Sequence, residues 1–302
     1  MEMISKKINK YLASPEIAGL AESTQDSYRY ALLARFNHYV THTSTIGRNH
    51  IADGWAIQFF CEHLERLGVA GTTIQQYLTI VKLFLKWNGT PATYTYRITS
   101  EERKAKALKT MDRWFDEKDI AKCRSYKHKN SRNELIVHLL IETGMRLKEL
   151  SLIAFKHVDV DARIIRIEES KTRPRVVFFS PKTRVKFLEF FGVKRELFPR
   201  PDDRFFPNTD QLRRIVNDML NILGLKNGAD GRGPHTFRHY LATELFYLGN
   251  MRLEDIARLL GDTPAVIEST YIHPTPMMLR KRVDVAMGWR LLLPWEQGPM
   301  WL

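Results

Sequence analysis

Residues 234–273 form the stretch that most constrains how this chain of 302 residues can fold. A proline at the start of a predicted helix is followed by His235 and Arg238, three residues apart. Two apolar helical runs follow, and a Leu-Leu-Gly break at residues 259–261 separates the second run from Tyr271. Each feature is common alone, whereas the whole series in this order is not. The remaining segments are therefore interpreted around it.

The overall composition and charge indicate a globular protein with a polyanionic partner. Hydrophobic residues make up 44% of the chain and charged residues 27%, which is ordinary for a globular domain. At 302 residues the chain is long enough for one large domain or two smaller ones. The formal net charge is +13. Because a basic surface gains affinity by displacing counterions from phosphates, this excess favours nucleic acid as the partner.

The cysteine and apolar patterns disfavour several other classes of protein. Cys61 and Cys123 stand alone, without the paired spacing of a disulfide scaffold or a zinc site, so we expect neither a metal ion nor another cofactor. No apolar run approaches the length of a transmembrane helix, and no signal peptide is recognisable at the N-terminus. These patterns predict a cytoplasmic protein that has no membrane partner, and a nucleic-acid partner would associate it with the nucleoid.

Apolar periodicity and segment composition predict two domains. Residues 1–92 carry apolar and aromatic side chains at helical spacing, as at Leu32 and Phe36, and we expect a helical domain there. Residues 93–110, with charged and extended character, are predicted to be a linker to a second domain over residues 111–288. The tail, residues 289–302, is rich in tryptophan and leucine. It is expected to pack on its own second domain or on a neighbouring subunit.

The clear strand patterns lie at residues 163–167 and 175–179, which are rich in β-branched and aromatic side chains. The residues between them are few enough for a hairpin tip, which would carry Lys171 and Arg173. Helical patterns surround these strands, over residues 133–142, 181–191 and 210–223. The predicted fold class is therefore mainly α with a small antiparallel β-sheet.

Four side chains are suited to cleaving a phosphodiester without a metal ion. The transition state carries about two negative charges, and arginine grips two phosphate oxygens without losing its proton. Arg146 and Arg238 come from separate segments, as a clamp around one phosphate requires. Tyr271 offers a phenol as the nucleophile, which needs cationic neighbours to ionise. Lys171, at the flexible hairpin tip, could supply a proton to the leaving 5′ oxygen.

Each of these residue types also has an ordinary structural interpretation. An isolated arginine is usually a surface charge, and a lysine at a hairpin tip is usually solvated. A histidine at a helix start, such as His235, is more often a cap or a packed side chain. A tyrosine such as Tyr271 is usually semi-buried packing, which is the interpretation for Tyr240 and Tyr247. Taken together, in this order and with this secondary structure, the residues favour a catalytic set.

In this order the residues resemble the signature of the tyrosine recombinase (integrase) family: an early Arg, a His-x-x-Arg, a Leu-Gly-His and a closing Tyr. Arg146, in Thr-Gly-Met-Arg, is similar to the first arginine, and Glu149 to a residue that supports it. His235 and Arg238 are similar to the His-x-x-Arg, and Tyr271 to the nucleophile. The resemblance also implies a β-hairpin lysine. Lys171 matches it, with Arg173 as the nearer rival.

One position departs from the family pattern. Asp262 stands nine residues before Tyr271, where the family carries a second histidine. A carboxylate only accepts hydrogen bonds and is repelled by phosphate, so we do not expect Asp262 to contact the scissile phosphate. Two interpretations stay open: an acceptor that orients a neighbouring cation, or part of the cap of the helix that residues 263–264 begin. The cations concerned are Arg146, Arg238 and His235.

The resemblance implies a core-binding domain and a catalytic domain that close as a C around double-stranded DNA. It implies a 3′-phosphotyrosyl link on Tyr271, a free 5′-hydroxyl, and rejoining within a homotetramer on paired sites without metal or ATP. One rival is a type IB topoisomerase-like enzyme that relaxes supercoils alone; the compact chain disfavours it. The other is a catalytically weak or silent DNA-binding relative. The intact set of residues disfavours this rival, and only Asp262 favours it.

Overall fold

The computed structural model describes residues 4–43, 56–102, 113–170, 173–194, 201–247, 249–272 and 276–287. The chain divides into two compact units, with the division between residues 108 and 109. Within the described ranges, no helix is long and apolar enough to cross a membrane. The tail over residues 289–302, the hairpin tip at residues 171–172 and much of the predicted linker lie outside the described residues.

The first unit is helical. Its helices are α1 (Ile4–Leu12), α2 (Pro15–Ala18), α3 (Glu22–Arg29), α4 (Ala56–Arg66) and α5 (Gly71–Trp87), and α3 continues in wider π-helical turns over Tyr30–Asn37 and Tyr39–Thr43. Leu32 and Phe36 are fully buried, which confirms their predicted helical spacing. The ring of Phe36 meets Phe60 edge-on at 5.3 Å and Phe84 at 6.4 Å between centroids. Aromatic packing of this kind holds the unit together.

The second unit surrounds one large apolar core with helices. They are α6 (Glu117–Ser125), α7 (Ser131–Thr143), α8 (Leu147–Ser151), α9 (Pro181–Lys194), α10 (Thr209–Ile222), α11 (Pro234–Tyr247), α12 (Leu253–Leu260), α13 (Pro264–Val266) and α14 (Pro276–Ala286). A 3₁₀ turn covers Phe155–His157, and π-helical geometry extends α13 over Ile267–Tyr271. Leu139 of α7 and Phe187 of α9 are fully buried where these two helices pack together. The long apolar helix predicted over residues 133–142 is thereby confirmed.

A small antiparallel sheet lies against this core. Its strands are β1 (Val158–Asp159), β2 (Ile164–Ile167) and β3 (Arg175–Phe178), in the order β1-β2-β3. Ile165 pairs with Val177, and Ile167 pairs with Arg175. Both predicted strands and the fold class, mainly α with a small antiparallel sheet, are confirmed. β1 was not predicted because two residues are too few for an alternating pattern.

Capping residues explain where α9 begins. Ser180 Oγ accepts a hydrogen bond from the Thr183 amide at 3.2 Å, and Pro181 occupies the first helical position, as predicted. The predicted end of this helix before Gly192 is wrong, because α9 continues to Lys194. Gly192 keeps the right-handed helical conformation instead of the left-handed one that ends a helix, so the helix passes through it.

Candidate active site

Two left-handed glycines place the candidate site residues. Gly144, whose φ is 59°, caps the end of α7, and the chain then turns so that Arg146 caps the start of α8. A Cβ on Gly144 would lie 2.8 Å from Leu260 Cδ2, so both the backbone angle and the close packing require glycine. Gly261, with φ of 70°, ends α12 in the same way and directs Asp262 back toward Arg146.

Asp262 joins the two predicted phosphate-binding arginines. Arg146 Nη2 donates to both carboxylate oxygens of Asp262, at 2.9 and 2.8 Å. Arg238 Nη2 donates to Oδ2 of the same carboxylate. The cap of the next helix belongs to Thr263, whose Oγ1 accepts from the Val266 amide at 3.3 Å. Of the two interpretations of Asp262, the geometry therefore favours the acceptor that orients cations.

Arg238 is the most deeply buried of the site cations, with 1% of its surface exposed. Its Nη1 donates to the carbonyl of Gly144 at 2.8 Å and its Nη2 to the carbonyl of Leu260 at 2.7 Å. These bonds tie the end of α7 to the end of α12. Its Nε–H is buried and meets no acceptor within the described ranges. A guanidinium held this tightly keeps one direction, which is what recognition of a phosphate requires.

Glu149 holds Arg146 from the other side. Its carboxylate accepts from the amide of Arg146 at 2.8 Å and from Nη1 of Arg146 at 3.1 Å. Burial alone would raise the pKa of this carboxyl, but hydrogen bonds and charge from Arg175 and Arg146 lower it to about 2. Glu149 is therefore ionised throughout the neutral range. Although burial alone would lower the pKa of Arg146, the carboxylates of Glu149 and Asp262 raise it.

Tyr271 lies beside Arg238 in a small apolar cluster. The guanidinium carbon of Arg238 is 4.9 Å from the centre of the Tyr271 ring, and the ring of His239 is 4.8 Å away. Thr243 Oγ1 donates to the carbonyl of Tyr271 at 3.0 Å. All three contacts come from α11, so one helix positions both the second arginine and the candidate nucleophile. Tyr240, by contrast, packs against the main core, and burial raises its pKa to about 12.

His235 occupies the second position of α11, one turn before Arg238. The side chain of His235 is exposed at one side, but the surrounding protein removes part of its hydration and the charges of Arg238 and Arg146 add to this effect, so its pKa is lowered from the usual 6.5. The imidazole is therefore neutral at neutral pH. A neutral ring can donate a hydrogen bond from one nitrogen and accept one at the other.

The β-hairpin reaches the site on both sides of its tip. Ser170 Oγ, just before the tip, donates to Glu149 Oε1 at 3.0 Å. Arg173, just after it, donates from Nη2 to the carbonyl of Asp262 at 3.1 Å. Lys171 itself lies outside the described residues. Its role as the hairpin lysine stays a prediction, with Arg173 as its rival.

Three residues around the site were not singled out from the sequence. His239 and Thr243 follow Arg238 on one face of α11, and their spacing of four residues was the available signal. The sequence pattern places Arg175 only in a strand, whereas in the structure it is buried and donates to Glu149 at 2.9 and 2.7 Å. Arginine at an inward-facing strand position was the sign of a buried ion pair.

Comparison with known proteins places this geometry in a family. Residues 113–277 match the phage integrase family. Tyrosine recombinase XerA of Saccharolobus solfataricus is 28% identical over 229 residues, which cover 75% of this chain and 72% of that protein. Tyrosine recombinase XerC of Proteus mirabilis is 21% identical over 295 residues, covering 94% of both proteins.

Solved structures share the fold of the chain. The XerH recombinase bound to its palindromic difH substrate, in a post-cleavage complex, superposes with a TM-score of 0.67 and 20% identity, covering 94% of this chain and 85% of that one. A lambda integrase dimer bound to a COC′ core site gives a TM-score of 0.61 and 13% identity, covering 90% and 95%. Because the family match spans more than half of the sequence, the chain belongs to the phage integrase family, the tyrosine recombinases.

Proposed function

We propose that this chain cuts and rejoins double-stranded DNA through a 3′-phosphotyrosyl intermediate on Tyr271. Family membership makes the chain a site-specific recombinase; the proposal assigns its residues. One observation supports this assignment of residues. The Tyr271 ring lies against Arg238, and a single carboxylate, that of Asp262, links Arg238 to Arg146. A nucleophile and two cations from three separate segments thus converge where a phosphate could bind.

The cleavage step forms one bond and breaks one. The phenolic oxygen of Tyr271 gives its proton to solvent water and bonds to phosphorus while the bond from phosphorus to the 5′ oxygen breaks. The 5′ oxygen takes up a proton, and Lys171 is assigned as its donor. Rejoining reverses the step with a 5′-hydroxyl from the partner duplex. The phosphotyrosyl link conserves the bond energy, so the exchange requires no ATP.

The guanidinium groups and His235 stabilise the charge that develops on the phosphate. Arg146 has 17% of its side chain exposed to a ligand, and the buried guanidinium of Arg238 adds its positive charge beside Tyr271. His235, neutral because its pKa is lowered, can donate a further hydrogen bond. Loss of one such donor typically costs about 10² to 10³ in rate.

Asp262 has a different role from the histidine that it replaces. Its carboxylate repels phosphate, but it fixes the two guanidinium groups relative to each other. We assign it as a positioning residue for Arg146 and Arg238. The same contact favours the second candidate function, a catalytically weak DNA-binding relative, if the carboxylate keeps the arginines from the phosphate.

DNA and further copies of the chain are the proposed partners, in the cytoplasm and on the nucleoid. XerH and lambda integrase were solved on DNA, the latter as a dimer. The net charge of +13 supports binding dominated by phosphate contacts. Affinity should therefore fall steeply with salt. We propose a homotetramer on paired sites as the assembly that exchanges strands.

A covalent-capture experiment tests the proposed function. The full chain is incubated with nicked fragments of the genome that encodes it, because a nick near the cleaved bond lets the short 5′-hydroxyl strand diffuse away and traps the adduct. We expect DNA to stay attached after denaturation in SDS. Tyr271→Phe should bind the same DNA and trap none, whereas Tyr247→Phe, the matched control from the end of α11, should trap it normally.

Each rival has its own outcome in this experiment. DNA that binds wild type but never becomes covalent identifies a silent relative. Relaxation of a supercoiled plasmid that carries one captured site, without exchange between two sites, identifies a topoisomerase-like enzyme. Either result would overturn the proposal.

A further inference from the structure

We propose that Arg175 is a positioning residue that holds three segments of the active site in one arrangement. These are the turn that begins α8, the base of the hairpin between β2 and β3, and the turn that follows α12. The inference rests on the function proposed above, because it gives Arg175 a part in DNA cleavage by the same site. Arg175 acts through its neighbours and need not touch the DNA.

The guanidinium of Arg175 contacts all three segments. Its Nη1 and Nη2 donate to the two carboxylate oxygens of Glu149 at 2.9 and 2.7 Å, next to the start of α8. Its Nη1 also donates to Ser170 Oγ at 3.3 Å, at the base of the hairpin. Its Nε donates to the carbonyl of Leu259 at 2.9 Å, near the end of α12. One planar cation thus uses every nitrogen to join segments that are far apart in sequence.

The position of Arg175 is costly for stability. It begins β3 on the inward face, where Val177 is also buried. Removing an arginine and a carboxylate from water costs several kcal/mol for each ion, about as much as their attraction returns, so an apolar pair is often as stable. The buried pair of Arg175 and Glu149 is therefore better explained by the geometry that it imposes than by stability.

The turn after α12 packs directly on this guanidinium. A Cβ on Gly261 would lie 2.8 Å from Nη1 and 3.0 Å from Cδ of Arg175. The backbone that leads into Asp262 therefore rests on the face of Arg175. A shift of the guanidinium would move Asp262, and with it the carboxylate that holds Arg146.

Arg175 also acts on Arg146 through Glu149. Its carboxylate fixes both the amide and the side chain of Arg146. Arg175 is the main cause of the low pKa of Glu149. A weaker partner at position 175 should therefore raise the pKa of Glu149, so that the carboxyl takes up a proton at a higher pH and releases Arg146.

The test is Arg175→Lys in the full chain, because lysine keeps the charge but cannot form the two-pronged contact. On a captured site, we expect DNA affinity close to wild type and a single-turnover cleavage rate lower by about 10², the typical cost of misplacing a catalytic group by 1 Å. The acidic limb of the pH–rate profile should move to higher pH. The control Arg184→Lys, in an exposed ion pair with Asp161, should change none of these.

The outcomes separate this proposal from a purely structural role. A cleavage loss that matches the loss of folded protein and is equal at every pH would overturn it, and so would a wild-type rate and profile. If Arg175→Lys does not fold, Ser170→Ala removes only the hairpin link. It should give a smaller loss in the same direction, and a wild-type rate would overturn the proposal. Wild type that forms no adduct contradicts the proposed function instead.

Discussion

The two units of the chain differ in what they bury. The core of the first unit consists of aliphatic, aromatic and cysteine side chains, as around Phe36 and Phe84. In the second unit the interior also contains ions, and Glu149, Arg175 and Arg238 are all more than nine-tenths buried. Among the residues that the structure describes, every buried charged side chain belongs to the second unit.

This difference separates the residues that stabilise the fold from the residues that are proposed to act in DNA cleavage. Apolar burial stabilises a unit wherever shapes fit, whereas a buried ion is tolerated only where partners compensate its desolvation. The second unit gives up stability that an apolar interior would supply, and in return its guanidinium groups keep fixed directions before DNA arrives. We call Glu149, Arg175, Arg238 and the residues they contact the ionic centre. Substitutions in the ionic centre should therefore change the cleavage rate more than the stability. Substitutions in the apolar core of the first unit should change the stability more than the cleavage rate.

The largest effect on cleavage within this comparison is expected from Arg238→Lys. Lysine cannot reach the Gly144 and Leu260 carbonyls and Asp262 together, so the contacts that fix Asp262 and the ends of two helices beside Tyr271 are lost. Cleavage should fall by at least about 10² to 10³. Single-turnover assays on a nicked duplex measure the rate, and circular dichroism confirms the fold. A rate within a few-fold of wild type would show that Arg238 is only structural.

Substitutions of Asp262 should have the next largest effect. Asp262→His introduces the donor that the family carries but removes the acceptor for two arginines, so we expect slower cleavage. Asp262→Asn keeps one acceptor oxygen and should be the milder change. The same nicked duplex gives both rates. Faster cleavage by Asp262→His would mean that the position merely lacks its donor.

Acid should destabilise the two units unequally. Because the pKa of Glu149 is about 2 in the folded chain and its ordinary value is 4.5, its ionisation stabilises the second unit above pH 4.5. This contribution, about 3 kcal/mol, disappears as the pH falls from 4.5 through 2. Urea unfolding followed by hydrogen exchange and mass spectrometry assigns the loss to each unit. If both units lost the same free energy of unfolding, the expected difference between them would be contradicted.

The smallest effect on cleavage is expected from the first core. Phe84→Ala removes a fully buried ring and should lower the stability of the first unit by about 3–5 kcal/mol. The cleavage rate of folded, DNA-bound protein should stay at the wild-type value, because the ionic centre is untouched. Urea unfolding and saturating-DNA kinetics measure the two quantities. A large loss of cleavage rate in the folded, DNA-bound variant would contradict the expectation that the core of the first unit affects stability alone.

The sequence predicted what depends on local pattern. Helical spacing located Leu32 and Phe36 in a core, and strand composition located β2 and β3. These predictions of packing succeed because apolar periodicity and capping act over a few residues. The catalytic roles of His235, Arg238 and Tyr271, read from their order in the sequence, stay predictions.

Long-range ionic pairing could not be predicted in the same way. The sequence leaves the partner of Asp262 open among three cations, and the structure pairs it with Arg146, which is 116 residues away, and with Arg238, which is 24 residues away. Arg175 meets Glu149 across 26 residues and Leu259 across 84. No local pattern specifies such partners, because they depend on how separate turns meet in space. The hairpin position of Lys171 stays a prediction.

Identification of the residue joined to DNA tests the central claim most directly. The adduct trapped on a nicked duplex is digested with protease and nuclease, and mass spectrometry locates the attached nucleotide. We expect it on Tyr271 through a 3′-phosphate, with a 5′-hydroxyl on the released strand. A nucleotide on Tyr240 or Tyr247, or one attached through a 5′-phosphate, would contradict the account.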